Sequence, residues 1–199
     1  MKRDILKSIM ATLARLHKAG GFGIQSPTDF SFANDVINGK GEYYAYEELT
    51  RAGKGLEGEK TNKMLFRLCN FIQPDIIITY KDTDKTATAY LHEACRHAQC
   101  ICMTEANATI DAQIENKKAL IHFSSIASAE EIDNAMRQMP AMIAEGSALI
   151  VENIDDKEKK NIWKKLKQQD CTHKTFDLYD IGIALTGKDA IKKHYKLLF

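Results

Sequence analysis

The sequence lacks several features that define whole classes of protein. No stretch approaches the ~18 uninterrupted apolar residues that a membrane helix needs, and the opening Met1–Asp4 is not followed by the apolar run of a secretory signal. Proline occurs only 3 times in 199 residues and the formal net charge is +1, which excludes collagen-like chains and strongly charged disordered chains. We therefore expect one ordinary soluble domain that resides in the cytoplasm.

Cysteine and basic charge are too sparse or too scattered for two further kinds of site. The 5 cysteines are an odd number, and Cys95, Cys100 and Cys102 lack the paired spacing of a zinc site. We interpret them as reduced thiols of the core and assign no metal site. Residues 71–150 carry more acidic than basic side chains, so a cleft formed there offers no basic groove to a nucleic acid. We expect neither a nucleic acid nor a membrane as a partner.

The spacing of apolar residues predicts helices that alternate with short strands. An amphipathic helix over 2–18 precedes a short helix that Ser26 and Pro27 open, and a glycine-rich connection follows at 53–58. Strands are then predicted at 75–80, 99–104, 119–123 and 148–151, and helices at 61–72, 86–97, 128–139 and 156–166. The chain ends differently, with predicted strands at 175–179, 181–186 and 191–198.

This order of elements predicts an α/β fold. Strands that alternate with helices imply parallel strands joined by crossover helices, so we predict a Rossmann-like, mostly parallel sheet. The short link Gly187–Asp189 predicts that strands 181–186 and 191–198 form an antiparallel C-terminal hairpin. We divide the single structural domain into an N-terminal helical segment, 1–60, and a Rossmann-like unit, 61–199.

Both ends of the chain are similar to a known family. The segments that carry the similarity are Gly21–Pro27, Glu42–Tyr46, Leu65–Leu68, Phe176–Ile183 and His194–Phe199. In these segments the sequence resembles the class I S-adenosylmethionine (SAM) dependent methyltransferases, specifically a small O-methyltransferase-like branch. Relative to that branch, the stretch between about 107 and 118 is shorter by a helix and a strand. The resemblance implies the Rossmann-like methyltransferase fold.

The SAM-binding signature of that family is altered here. The family has an acidic residue at the end of the first strand, followed by G-x-x-x-G, and the glycines let the backbone approach the methionine part of SAM. Aligned without gaps, Thr79 stands at the acidic position, and Lys81 and Lys85 stand at the two glycines. Two lysines conflict in size and charge with a ligand that carries a sulfonium and an ammonium group. The comparison implies that SAM binding has been lost.

Other family positions are partly kept. Glu105 matches the acid that binds the ribose of SAM, although a solvated strand-end carboxylate explains it equally well. Ser124 follows the third strand, where the family has an acid near the substrate, and Glu152 and Asn153 replace paired aspartates. One carboxylate and one amide are a weak ligand set for a hard cation. We interpret His122 as a hydrogen-bonded imidazole of the core and assign no catalytic residue.

The loop Lys81–Thr86 also permits other interpretations. A lysine and a threonine that open a helix resemble a phosphate-binding loop, although every glycine of that loop is missing. The pattern Asp84-Lys85-Thr86-x-Thr88 resembles the aspartyl-phosphate loop of haloacid-dehalogenase-type phosphatases. The simplest interpretation is a charged turn in which Asp84 or Thr86 caps the following helix.

Together these observations predict a methyltransferase-fold protein that has lost SAM binding and catalysis. We expect such a chain to serve as a binding or scaffold module for a protein or small molecule. The sequence is also compatible with a homo-oligomer. One alternative is a working SAM-dependent O-methyltransferase with an atypical cofactor site around Glu105. Another is a phosphate- or nucleotide-binding protein, or a Mg-dependent phosphatase, that uses the loop 81–86. We also predict that Trp163 anchors the helix 156–166 on the sheet.

Overall fold

The computed structural model describes residues 24–53, 59–104, 115–138, 144–188 and 191–199. Several predictions lie outside these residues, namely the helix over 2–18, most of the glycine-rich connection, the role of Glu105 and most of the shortened stretch 107–118. None of the described helices is long and apolar enough to cross a bilayer.

Seven strands form one sheet in the described chain, in the order β2-β1-β3-β4-β6-β5-β7. β2, β1, β3 and β4 are parallel, and β6 is antiparallel to its neighbours β4 and β5. The Rossmann-like α/β fold predicted from the sequence is confirmed. The strands are β1 Ile76–Tyr80, β2 Gln99–Met103, β3 Ala119–Phe123, β4 Ala148–Glu152, β5 Thr172–Asp177, β6 Ile181–Thr186 and β7 Lys193–Lys196.

The last strand lies at a different place from the one predicted. We expected it to form a hairpin with the strand 181–186, but β7 pairs in parallel with β5, and the antiparallel hairpin is formed by β5 and β6. β4 and β5 occupy both edges of β6, so β7 adds at the free edge of β5. There Tyr195 stacks on Phe176 with ring centroids 5.2 Å apart.

Six α-helices are described, and polar caps fix the start of several of them. Ser26 accepts a hydrogen bond from the Asp29 N–H, and Asp156 accepts from Glu158 and Lys159. Ser128 and Glu131 form the predicted capping box, with reciprocal bonds of 2.8 and 3.2 Å. The helices are α1 Pro27–Ser31, which continues as a π-helical turn Phe32–Ile37, then α2 Tyr44–Arg51, α3 Glu59–Ile72, α4 Thr86–Ala94, α5 Ala129–Gln138 and α6 Lys157–Gln168.

The helices bury both faces of the sheet, as strands without polar alternation require. Ile77 and Leu120 belong to the apolar cluster that also contains residues of the π-helical turn, α3 and α4. Ile78 and Ile121 belong to the cluster that contains residues of α5 and α6. Trp163 is only 3% exposed within this second cluster, which confirms its predicted role as the anchor of α6.

Gly182 on β6 lies directly against Trp163. A Cβ atom at this position would be 2.7 Å from the indole ring. Because the ring is buried and would have to shift, we expect Gly182→Ala to lower the free energy of unfolding by about 1–3 kcal/mol. Urea denaturation measures the change. Gly41→Ala is the control, since its Cβ would meet its nearest neighbour at an ordinary 3.7 Å; equal losses in the two variants would contradict the packing argument.

Candidate functional site

A cleft opens at the carboxyl edge of the sheet between the ends of β1 and β3. The chain passes from β1 outwards to β2 and returns to β3 on the other side of β1, so the loops that leave the two neighbouring strands diverge. The cleft has a volume of about 300 Å³. Its walls are these two loops, the first turns of α3 and the end of β4, and they include Thr61, Lys81, Asp82, His122, Ser124 and Glu152.

The structure brings three of the predicted site residues together in this cleft, namely Lys81, Ser124 and Glu152. The Ser124 hydroxyl donates to the backbone oxygen of Lys81 at 2.9 Å, which ties the loops after β1 and β3 to each other. Lys85 and Asn153 are exposed on the loops after β1 and β4. Glu105 lies outside the described residues.

Thr79, at the family's acidic position, is buried in β1 with 1% of its surface exposed. Its hydroxyl lies 3.0 Å from the Thr88 hydroxyl on α4 and 3.5 Å from the Cys102 sulfur on β2. These are neutral partners that hold α4 and β2 against β1. Thr79 therefore contributes packing at this strand end, and it contributes no negative charge.

Lys81 and Lys85 share an uncommon backbone conformation. Their φ angles are 58° and 56°, in the left-handed region. Glycine adopts this region freely, whereas a residue with a Cβ atom is strained there by about 1–2 kcal/mol. The backbone of the loop is therefore suited to glycine at the two positions where the family that the sequence resembles has glycine. The residues at these positions are nevertheless two lysines with long cationic side chains.

The Lys81 side chain extends across the carboxyl ends of the sheet. Its Nζ donates to the Thr104 backbone oxygen at 2.6 Å and lies 3.4 Å from Glu131 Oε1 on α5. Burial would raise the pKa of Glu131, but bonds from the Ser128 backbone and hydroxyl and the nearby Lys81 ammonium lower the pKa overall. Glu131 is therefore ionised at neutral pH, and it holds the Lys81 cation next to the end of β2.

Asp82 and Asp84 bind the N-terminus of α4. Asp84 accepts from the Thr86 N–H at 3.0 Å and from the Thr86 hydroxyl at 2.7 Å. Asp82 accepts from the Thr88 N–H at 2.7 Å and also from the Thr88 hydroxyl. Asp84, one of the two residues predicted to cap this helix, thus binds its first N–H group, although Lys85 occupies the N-cap position. Carboxylates now use the N–H groups that a phosphate would need, so this geometry gives no support to the phosphate-loop or phosphatase alternatives.

A histidine–glutamate pair lines the cleft. The sequence predicts a site role for Glu152 but none for His122. His122 is 1% exposed, and its Nε2 lies 2.9 Å from Glu152 Oε1. Burial would raise the pKa of Glu152, but the hydrogen bond and charge of His122, a backbone bond from Ser125 and the Lys159 ammonium lower the pKa overall. Glu152 is therefore ionised and His122 Nε2 donates to it. Nδ1 of His122 is buried and has no hydrogen-bond partner among the described residues.

Asn153 does not form a carboxylate-like pair with Glu152. Its backbone is left-handed, with a φ of 58°, and its amide donates to the Ser125 oxygen at 3.3 Å. Lys159 on α6 donates to the same oxygen at 2.7 Å. Two side chains therefore bind one backbone oxygen of the loop after β3. Within the ranges that the structure describes, no three potential metal ligands lie together.

Comparisons with known proteins support the fold. No family model matches the sequence, and no curated protein matches it significantly. A solved structure from Corynebacterium glutamicum has a TM-score of 0.53 at 10% identity, with 81% of this chain and 98% of that chain covered. A methyltransferase from Geobacter sulfurreducens has a TM-score of 0.51 at 12% identity, with 75% and 93% covered. The SAH-bound methyltransferase of Podospora anserina has a TM-score of 0.53 at 9% identity, with 82% and 97% covered.

This chain has a methyltransferase-like fold. At identities of 9–12% the similarity establishes the architecture alone. The methyltransferase-like fold places the loop 81–85 and the end of β2 next to each other at one edge of the sheet, since β1 and β2 pair in parallel up to Tyr80 and Met103. The chemistry of this edge must therefore be argued from its own side chains.

Proposed function

We propose that this methyltransferase-fold chain does not bind SAM and acts as a binding module. The observation that carries the proposal is the position of the Lys81 ammonium, 2.6 Å from the Thr104 oxygen at the end of β2. The family resemblance puts the methionine part of SAM beside residue 81 and its ribose at Glu105, which directly follows Thr104. A fixed cation between these two positions opposes the positive charges of SAM.

The magnitude of this repulsion supports the proposal. Two unit charges about 4 Å apart repel by about 1 kcal/mol in water and by about 4 kcal/mol near a protein surface of effective dielectric constant 20. Lys81 cannot relieve the repulsion by turning away without cost, because Glu131, whose side chain is 5% exposed, would lose its cation. Thr79 offers no carboxylate to the ammonium of SAM. The residues present therefore do not fit this cofactor.

Isothermal titration calorimetry of the chain with SAM and with SAH tests the proposal. We expect no saturable heat up to about 1 mM of either ligand. Thermal melts with the same ligands should show no rise in melting temperature. A ligand present at 100 times its Kd would instead stabilise the fold by about 2.7 kcal/mol. A SAH-binding methyltransferase assayed in parallel is the positive control. Saturable micromolar binding of SAM would overturn the proposal and favour a working methyltransferase with an atypical site.

A further inference from the structure

A second cavity lies between the start of α3 and the loop that follows the π-helical turn. We call it the α3 cavity, and its volume of about 390 Å³ is in the range of small-molecule sites. Lys60, Lys63 and Arg67 line it from one face of α3, since residues three, four and seven apart share a helix face. Thr61 and Asn62 line the cleft at β1 and β3 from other faces of the same helix. The two sites are therefore separate.

The side chains around the α3 cavity are mostly cationic. Four of them carry a positive charge, namely Lys40, Lys60, Lys63 and Arg67. The acidic side chain of the lining, Glu42, lies 3.8 Å from Lys63 Nζ, and Glu59 lies 2.8 Å from the same ammonium. Positive charges remain in excess when both glutamates and a carboxylate at Phe199, which also lines the cavity, are counted. The field in the cavity therefore favours an anion.

Arg67 is a buried cation whose partners in the described chain are neutral. It is 6% exposed, and its Nε and Nη2 groups donate to the Val36 and Ile37 backbone oxygens at 2.8 and 2.9 Å. The nearby Tyr46 hydroxyl is neutral as well, because burial raises its pKa. Buried charges in proteins are normally paired with an opposite charge. The guanidinium of Arg67 is thus fixed in place, and its charge is left to attract an anion into the adjoining cavity.

The loop Gly39–Gly41 lines another side of the α3 cavity. A Cβ atom at Gly39 would collide with the Asp35 backbone oxygen and would lie 3.0 Å from Arg67 Cδ, so the loop passes close to the Arg67 side chain. The backbone N–H groups of Gly39, Lys40 and Gly41 have no acceptor among the described residues. Backbone N–H groups of this kind bind phosphate oxygens. The loop therefore has unused hydrogen-bond donors as well as a cationic side chain.

We propose that the α3 cavity binds small phosphate-bearing molecules, with the phosphate held by the ammonium groups of Lys40 and Lys60, the N–H groups of the loop 39–41 and the charge of Arg67. A phosphate group suits this lining better than a carboxylate does, because it carries up to two negative charges and three acceptor oxygens. Lysine ammonium groups are common phosphate ligands. The proposal goes beyond the proposed function, since it concerns a different cavity and holds whether or not SAM binds.

Isothermal titration calorimetry with pyrophosphate tests the proposal. EDTA is present, so that no metal ion bridges the anion to a carboxylate. We expect saturable binding with a Kd of about 0.1 mM at low ionic strength, which is reasonable for a probe of so few atoms. Acetate at matched ionic strength should bind at least about tenfold more weakly, since it carries a single charge. No saturable heat up to about 5 mM pyrophosphate, or equal binding of acetate, would overturn the proposal.

A pair of double variants separates this site from general attraction to a basic surface. Lys40→Gln with Lys60→Gln removes two exposed lysines of the α3 cavity, and we expect it to weaken pyrophosphate binding by about tenfold. Lys160→Gln with Lys164→Gln removes two exposed lysines of α6, changes the net charge equally and should leave the Kd within about twofold. Thermal melts check that both variants fold, because Lys60 Nζ also lies 4.2 Å from the centroid of the Phe199 ring. Equal losses of affinity would show that the anion does not use the α3 cavity.

The amide signal of Gly41 locates the bound anion in the wild-type chain, whatever the lysine variants do. In chain labelled with ¹⁵N-glycine, this signal is identified by its absence from the spectrum of Gly41→Ala. We expect it to shift saturably with pyrophosphate, at the same Kd as the heat. A saturable heat without a shift of Gly41 would place the anion elsewhere and overturn the proposal. Saturable binding of SAM would overturn the proposed function alone, whereas failure of pyrophosphate to bind would overturn the phosphate site alone.

Discussion

Replacing Thr79 with glutamate and both Lys81 and Lys85 with glycine is expected to create SAM binding with a Kd of about 10 μM. Relative to a wild type that shows none at about 1 mM, this is a gain of at least about 100-fold, or about 2.7 kcal/mol. Glycine fits both positions without a change of backbone, because φ is already 58° and 56° there. The triple variant also removes the cation at the end of β2 and adds a carboxylate at the end of β1. Calorimetry with SAM measures the gain.

The control for this variant changes the charge elsewhere. Thr79→Glu combined with Lys160→Ala and Lys164→Ala removes two exposed lysines of α6 and leaves the loop cations in place. It has the same formal net charge as the triple variant, and we expect no SAM binding from it. Thermal melts must show that both variants fold, since Thr79→Glu buries a carboxylate. If the folded triple variant still fails to bind SAM, the two lysines are not the obstacle, and the shortened stretch 107–118 becomes the better explanation.

Sequence patterns predicted the central strands and several helix starts because these depend on local chemistry. The strand predicted at 119–123 coincides with β3 at both ends. Ser128 and Glu131 reveal a helix start because their capping bonds join residues three apart in the chain. Where local signals are weak, the observed ends of the elements differ from the predicted ends. The helix predicted to reach 97 ends at Ala94, because Cys95 has an extended φ of −145° and leads into a turn.

Features that depend on distant partners escaped the sequence analysis. The place of β7 is decided by which strand edge remains free after β4, β5 and β6 have paired. The family alignment located Lys81, but nothing local shows that its ammonium meets Glu131 on α5. His122 and Glu152 are separated by 30 residues and meet only because β3 pairs with β4, with His122 opposite Ile150. Side chains two residues apart in a strand point to the same face, so this register would have revealed the pair.

Asp29 also has partners that only the structure reveals. We expect Asp29→Asn to destabilise the fold strongly. The carboxylate is 2% exposed and joins α1 to the far edge of the sheet. It lies 2.6 Å from Lys174 Nζ and 3.3 Å from Lys193 Nζ, and it accepts a 2.7 Å hydrogen bond from the Tyr195 hydroxyl. Removing one partner of a buried ion pair costs about 3–5 kcal/mol. We expect the lower end, about 3 kcal/mol, because both lysines are partly exposed, and a fall in melting temperature of roughly 6–12 °C.

The pH dependence of this loss distinguishes a charge effect from a packing effect. Burial alone would raise the pKa of Asp29, but Lys174, Tyr195 and Lys193 lower the pKa from 3.8 to about 2. A carboxyl group with a lowered folded-state pKa stabilises the fold above its unfolded-state pKa, and that contribution is lost as the pH falls through the folded value. The stability difference between wild type and Asp29→Asn should therefore be full above about pH 5 and shrink between about pH 4 and pH 2. Urea denaturation at several pH values measures it.

The matched control is Asp35→Asn, which alters an exposed carboxylate on the adjoining π-helical turn. A surface substitution of this kind changes stability by about 0.5 kcal/mol or less. A loss at Asp29 that stays constant from neutral to acid pH would mean that the amide disturbs packing and that the two lysines do not need the charge. A loss that fades with acid while Asp35→Asn stays near wild type would establish the buried carboxylate as the link between α1 and the strands β5 and β7.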